Sequence, residues 1–395
     1  MSKPLRVPSR NSHFGVPTDF AGLRQRLLSR GSASAGDLLH SNHIRDLYVM
    51  QSFACQLRCD YCWLWGEKGL VWDKAVKKKY ASRVTTEAMT RLVDDLVPYG
   101  IENLTLSGGE PLMTNSWYPV AAHAKSRGLP IQLTTGGVLI LQELDRILEV
   151  LDQVNVSING PPSIADVVRP GPEGHYALMM RGLKALTDAK RERGAGPLLR
   201  ILTTITHTNY RHIVEMMRYF EGEGIVVDEY YFQFLIYNSD DELAEQAAVN
   251  DEEFGCGVRA LETFMIRPET MDFDRMWEEI EGIRAAHPRV QFSAPLTRET
   301  LERYYTDKKW GIVPNYCATP WNECALLPNG DLYTCPDLPI GNILEQPFEA
   351  IWNGDKAREL RQRLSERLFP ACTGCFHFWG DRGVELDRGG RSEPR

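Results

Sequence analysis

The sequence predicts an α/β fold: a partial (β/α)6 barrel, open on one side, followed by a small C-terminal β-hairpin and helix. Three observations predict it. Apolar strand-like runs alternate with amphipathic helical runs from Arg45 to Tyr237, closing on a sixth strand. Small, polar or metal-binding residues follow the strands, at the rim where ligands sit in such folds. The last quarter then changes character, with short β segments around a PNGD turn and cysteines on both sides.

The elements follow in order. DLYVMQSF reads as a buried first strand and TTEAMTRLVDDLVPYG as a helix. Met89, Leu92, Val93 and Leu96 share one face of that helix, and Thr85 or Thr86 is placed to cap it. Next come NLTLS (strand), a helical stretch through HAKSRG, IQLTT (strand), LQELDRILEVL (helix) and VNVSI (strand). YALMMRGLKALTDAK (helix), LLRILTTIT (strand), YRHIVEMMRYFEGEG (helix) and EYYFQFLIY (strand) complete the series. Such alternation implies a parallel sheet with right-handed crossovers. The expected division is a Ser/Gly/Arg-rich extension over 1–44, the barrel over 45–300 and a cysteine-bearing unit over 301–395.

Composition narrows the class. The chain has 395 residues, 43% hydrophobic and 25% charged, which is ordinary globular usage. No run approaches the roughly 18 apolar residues of a membrane span, and MSKPLRVPSRNSHFG has no apolar signal core. A cytoplasmic protein without a membrane partner is expected. Net charge is -8, and the densest basic stretch, KAVKKKY, reads as a solvated helix face, so no nucleic-acid partner is expected. Nine cysteines without an export signal point to metal or redox chemistry rather than disulfides.

The first strand ends in CQLRCDYC, with Cys55, Cys59 and Cys62; later strands end in SGGEP, TTGG, SING and THTN. A structural zinc site draws four ligands. Three thiolates also suit a [4Fe–4S] cluster with one iron left open to a small molecule. Spacing alone leaves both possible.

CxxxCxxC with Tyr61 inside it, followed one strand later by GGEP, resembles the radical S-adenosylmethionine (radical SAM) superfamily from about Arg45 onward. The resemblance implies a TIM-like partial barrel, AdoMet chelated to the open iron, and reductive cleavage to a 5′-deoxyadenosyl radical that abstracts a substrate hydrogen. A flavodoxin- or ferredoxin-type protein would supply the electron. By the same likeness Gly108, Gly109 and Glu110 approach the methionine amino group, and Ser157 and Asn159 face the ribose or methionine moiety. Arg169 pairs with the AdoMet carboxylate, and Tyr61 sits near the adenine. TTGG and SING depart from the Asn-Thr-Asn-Gly and Asp-bearing turns usual there.

Cys317, Cys335, Cys372 and Cys375, spaced around a hairpin and a terminal CxxC, resemble the SPASM/twitch extension. With no cysteine after Cys375, the likeness is to the shorter twitch form, whose single auxiliary [4Fe–4S] cluster takes all four thiolates and acts as an electron relay. The cofactors expected are therefore AdoMet and two [4Fe–4S] clusters. Cys324 is an alternative ligand or an inert strand thiol. Cys256 is a candidate hydrogen donor or a packing residue.

The cysteine layout resembles that of the twitch-bearing 2-deoxy-scyllo-inosamine dehydrogenases. It implies two-electron oxidation of a small sugar or aminocyclitol alcohol in antibiotic or other natural-product biosynthesis, with the auxiliary cluster accepting the electron. The alternatives are maturation of a ribosomal peptide, epimerisation with Cys256 as donor, and a non-enzymatic iron–sulfur carrier or zinc-structured binding protein. Gln233, Tyr237 and Asn238, on or after the sixth strand, are candidates to face a polar substrate.

Overall fold

The computed structural model describes residues 20–29, 31–264, 266–293, 297–306 and 317–375. The N-terminal segment judged above for a signal sequence lies outside these residues. One ten-stranded sheet organises the chain, in the order β10-β9-β8-β1-β2-β3-β4-β5-β6-β7. The six anticipated strands all form: β1 (Asp46–Met50), β2 (Asn103–Ser107), β3 (Ile131–Thr135), β4 (Gln153–Ser157), β5 (Leu198–Ile205) and β6 (Glu229–Phe234). Each pairs in parallel with its successor.

The helices between them cover the sheet with the stripes their periodicity implies. In helix Thr86–Leu96 the buried positions are Ala88, Met89, Leu92, Val93 and Leu96, and the Thr85 side chain accepts the Ala88 N–H at 3.2 Å. Each fully buried Leu or Val on such a face contributes about 1.5–3 kcal/mol. The KAVKKKY segment is a short helix, Lys74–Lys79, capped by Asp73 and with no buried residue.

Two features go beyond the six-unit pattern. A short seventh strand, β7 (Val290–Phe292), pairs in parallel with β6. At three residues it is too brief to announce itself by alternation. On the other side β8 (Glu323–Leu326) pairs in parallel with β1, setting Asp46 against Glu323 and Leu47 against Cys324. Strands β9 (Asp331–Cys335) and β10 (Leu338–Asn342) then add antiparallel to it. The cysteine-bearing hairpin thus grows out of the barrel's own sheet edge, so its cysteines are carried by the element that frames the β1 rim.

The described residues before Arg45 pack against this C-terminal extension. Helix Phe20–Ser29 buries Leu23 and Leu27 with Ala318 and Trp321. Ser32 Oγ donates to Asn322 Oδ1 at 2.6 Å, and Trp321 Nε1 to the Leu38 carbonyl at 2.6 Å. Arg361, wholly buried, donates to the carbonyls of Pro320 and Leu39. Among the described residues no helix is long and apolar enough to cross a membrane.

Candidate active site

The loop after β1 carries Cys55, Cys59 and Cys62, all as thiols rather than disulfides. Its shape is fixed by backbone hydrogen bonds. Cys62 N–H donates to the Cys59 carbonyl (3.1 Å), Arg58 N–H to Pro170 (2.7 Å) and Asp60 N–H to Val168 (3.2 Å). The last two tie the loop to the segment carrying Arg169, whose Nε lies 3.3 Å from Cys59 Sγ. Burial pushes Cys55 up to about 11 and Cys62 up to about 12, with neighbouring thiols adding to both shifts. Burial works against the Arg169 charge, but the Cys59 and Tyr61 anions outweigh it and hold its pKa above the usual guanidinium range. The site is thus a desolvated thiol cluster with one cation against it: burial favours the protonated thiols, and the Arg169 charge opposes that shift at Cys55.

The GGEP turn acts first on this loop's backbone. Gly109 N–H donates to the Ser52 carbonyl and Glu110 N–H to the Ala54 carbonyl, both at 2.8 Å. The approach leaves no room for side chains: a Cβ on Gly109 would stand 2.1 Å from Ala54 O, and one on Gly108 2.5 Å from Ser52 O, at a φ of +123°. We expect Gly109→Ala to destabilise the fold by about 2–3 kcal/mol through overpacking and to lower the iron retained after reconstitution. Urea denaturation with iron analysis would measure both, and unchanged values would refute this reading of the turn.

Glu110 is buried, and its carboxylate accepts from Thr135 Oγ1 (2.8 Å), Gly136 N–H (2.8 Å) and Leu112 N–H (3.1 Å). Burial raises its pKa despite those donors. The TTGG turn is thereby clamped to the GGEP turn, an association that spacing in the sequence does not reveal.

Tyr61 lines the cavity above the cysteines, and its hydroxyl donates to Asn159 Oδ1 at 2.9 Å. Asn159 Nδ2 donates to the Thr204 carbonyl at 2.8 Å, so Asn159 stands behind Tyr61 with both ends of its carboxamide engaged. Ser157, at the end of β4, lies in the cavity wall with Gly108, Gly109 and Arg169.

The second cysteine set also converges. Burial raises the Cys335 thiol well above its ordinary value, and Cys317, Cys372 and Cys375 each raise it further. Cys317 responds to burial and then to Cys372 and Cys375. Cys324 is raised by burial and Glu323, and none of those four thiols acts on it. It sits on β8 opposite Leu47. Cys256 lies elsewhere again, its Sγ 3.5 Å from the Asp337 carbonyl and outside the cavity lining.

A cavity of about 370 Å³ is lined by Cys55, Cys59 and Cys62 and by Cys335 of the second set, with Cys324 and Pro336 also in its wall. The walls also carry Trp63, Trp65, Tyr80, Phe264, Leu235 and Tyr333. Gln233 also lines it, whereas Tyr237 and Asn238 do not. The aromatic wall escaped the sequence reading, although Trp63 and Trp65 directly follow Cys62. Tyr80, Phe264 and Tyr333 reach the cavity only through tertiary packing and left no local signal.

Residues 51–220 match the model of the radical SAM superfamily, and residues 317–376 match SPASM, an iron–sulfur cluster-binding domain. The chain carries a radical SAM domain followed by a SPASM domain. Its cofactors are accordingly S-adenosylmethionine with a [4Fe–4S] cluster in the first domain and additional iron–sulfur in the second. It is 24% identical over 326 residues to an AdoMet-dependent heme synthase of Methanosarcina barkeri, covering 81% of this chain and 85% of that one. It is 23% identical over 352 residues to the mycofactocin maturase MftC of Mycobacterium tuberculosis, covering 84% and 75%. In fold it is similar to Streptococcus suis SuiB bound to S-adenosylmethionine, with a TM-score of 0.54 at 12% identity over 85% of this chain and 70% of that one.

The donor sets fit these groups. Each is made of soft, desolvated thiols, the preferred ligands of iron–sulfur clusters. Among the described residues no three His, Cys, Asp or Glu side chains are grouped as the ligands of a single ion would be. Thiolates on separate corners of a cubane stand farther apart than those around one zinc.

Proposed function

We propose that the radical SAM and SPASM domains together perform a two-electron oxidation at a carbon of an apolar or aromatic side chain in a peptide substrate. One observation carries the oxidative part: the same cavity is lined by Cys55, Cys59 and Cys62 and by Cys335. When bound, a cluster held by Cys55, Cys59 and Cys62 would supply the electron for reductive cleavage of AdoMet, and one held by Cys317, Cys335, Cys372 and Cys375 would accept the electron that leaves the substrate. One substrate hydrogen atom would leave to form 5′-deoxyadenosine and one proton would leave with that electron, so the product is lighter by two hydrogens.

In this reading Cys55, Cys59 and Cys62 hold the first cluster, and Cys317, Cys335, Cys372 and Cys375 hold the second. Arg169 balances the thiolate charge beside Cys59, Tyr61 and Ser157 flank the AdoMet, and Gly108 and Gly109 keep the loop backbone seated. Trp63, Trp65, Tyr80, Phe264 and Tyr333 exclude water from the reacting carbon and hold an apolar group by contact.

The wall also favours this substrate class over a sugar or aminocyclitol. A cyclitol's ammonium and hydroxyls call for carboxylates directed into the space. Among the described residues the carboxylates in the wall are Glu323 and Asp337, and both have partners. Glu323 is paired with Arg45, and Asp337 accepts from the N–H groups of Arg259 (3.0 Å) and Ala260 (2.9 Å). The two curated relatives described above bear the names of a heme synthase and a maturase, which does not favour sugar oxidation either. Epimerisation would need a hydrogen donor in the cavity, and Cys256 is not part of its wall.

The test is anaerobic incubation of reconstituted protein with AdoMet and dithionite, beside panels of aromatic-containing peptides and of aminocyclitols. A peptide should raise 5′-deoxyadenosine formation and appear as a product lighter by two hydrogens. Stimulation by cyclitols alone would overturn the substrate class. No AdoMet cleavage by fully loaded protein would overturn the enzyme reading, in favour of an iron–sulfur carrier.

A further inference from the structure

Asn238 follows β6 on a segment that meets the terminal CxxC turn. A Cβ placed on Gly374, between Cys372 and Cys375, would stand 2.2 Å from the Tyr237 carbonyl oxygen and 2.8 Å from Asn238 Oδ1. The turn therefore lies directly on this segment. Tyr304 fastens the two together, its hydroxyl lying 3.4 Å from the Leu235 carbonyl and 3.3 Å from that of Gly374.

Both polar atoms of the Asn238 carboxamide are shielded from solvent, and neither has a hydrogen-bond partner. A buried donor or acceptor left unsatisfied costs about 1–3 kcal/mol. The cost comes from the amide's polarity and not from its shape, since Leu has the same branched heavy-atom skeleton, though a larger volume, and would not incur it. The unpartnered amide therefore lies against the turn that carries Cys372 and Cys375.

We propose that Asn238 belongs to the auxiliary cluster site, donating its Nδ2–H to a cluster or cysteinyl sulfur and setting the cluster's reduction potential. The inference rests on the reading that Cys317, Cys335, Cys372 and Cys375 hold that cluster. A hydrogen bond to sulfur stabilises the reduced form, which carries one more negative charge, and so raises the potential. A higher potential makes the cluster a better acceptor for the electron leaving the substrate radical. Asn238 thereby acts on the reaction from outside the substrate cavity.

The experiment uses the full chain with Cys55, Cys59 and Cys62 all replaced by Ala, so that only the auxiliary cluster remains. Its midpoint potential is followed by EPR-monitored redox titration with Asn238 intact, and in the N238L and N238D variants. About four irons per chain should be retained in all three. The potential should fall in N238L and fall further in N238D, which loses the donor and gains a charge. If N238L fails to hold iron, the isosteric N238D decides on its own. An unchanged potential in an iron-replete variant overturns the proposal. Absence of any cluster in the parent triple-alanine protein would instead remove the auxiliary-cluster reading itself, and this inference with it.

Discussion

Replacing Cys59 by Ala is expected to lower AdoMet cleavage by at least ~100-fold and to reduce reconstituted iron from about eight to about four per chain. Cys59 is the thiol against which the Arg169 guanidinium lies, and its anion contributes to raising the Arg169 pKa. Removing it leaves two thiols for three irons and a cation, itself largely desolvated, without its anionic partner. Cys324→Ala is the matched control. Cys324 is buried, more fully than Cys59, but no thiol of the second set acts on it, so that variant should keep both its iron and its cleavage rate. Loss of iron in the Cys324 variant would make it a ligand and reopen the membership of the auxiliary set. Full cleavage by the Cys59 variant would sink the assignment of the loop cluster. Iron and sulfide analysis with quantified 5′-deoxyadenosine reads both.

The barrel was legible because its signals are local. Strands NLTLS and IQLTT appear with the bounds the sequence suggested, and Thr85 caps its helix as a Thr before an amphipathic run should. The cysteine sets were legible because soft ligands at close spacing have few other uses in such a chain. What stayed hidden depends on contacts distant in sequence. The pairing of Asp46 with Glu323 spans most of the chain, and no pattern within ECAL indicates that it continues the barrel sheet rather than starting a separate one. Likewise Glu110 belongs to a turn whose letters suggest a cofactor contact. Its oxygens are spent on Thr135, Gly136 and Leu112, a clamp visible only once β2 and β3 lie side by side. The N-terminal residues read as a Ser/Gly/Arg-rich extension of no assigned purpose. The apolar pair Leu23 and Leu27 finds its distant partners in Ala318 and Trp321.

Cys372→Ala should separate the two halves of the reaction. AdoMet cleavage should persist within a few-fold of the parent rate, because Cys55, Cys59 and Cys62 lie on the β1 loop and depend on GGEP rather than on the CxxC turn. Product should fall by at least ~100-fold, since the substrate radical would have lost its acceptor. The 5′-deoxyadenosine formed would then exceed product many-fold, whereas the parent protein should form the two in equal amounts. A structural role for Cys372 predicts something else: a general loss of stability that lowers cleavage and product together. The neighbouring contact Ala371 N–H to Gln246 Oε1, at 3.0 Å, holds the turn without using the thiol, so the fold should survive the substitution. Product formation at the parent rate with about four irons per chain would refute the relay. The cavity lined by Cys55, Cys59, Cys62 and Cys335 would then serve only to hold substrate, and the electron would have to leave by another route.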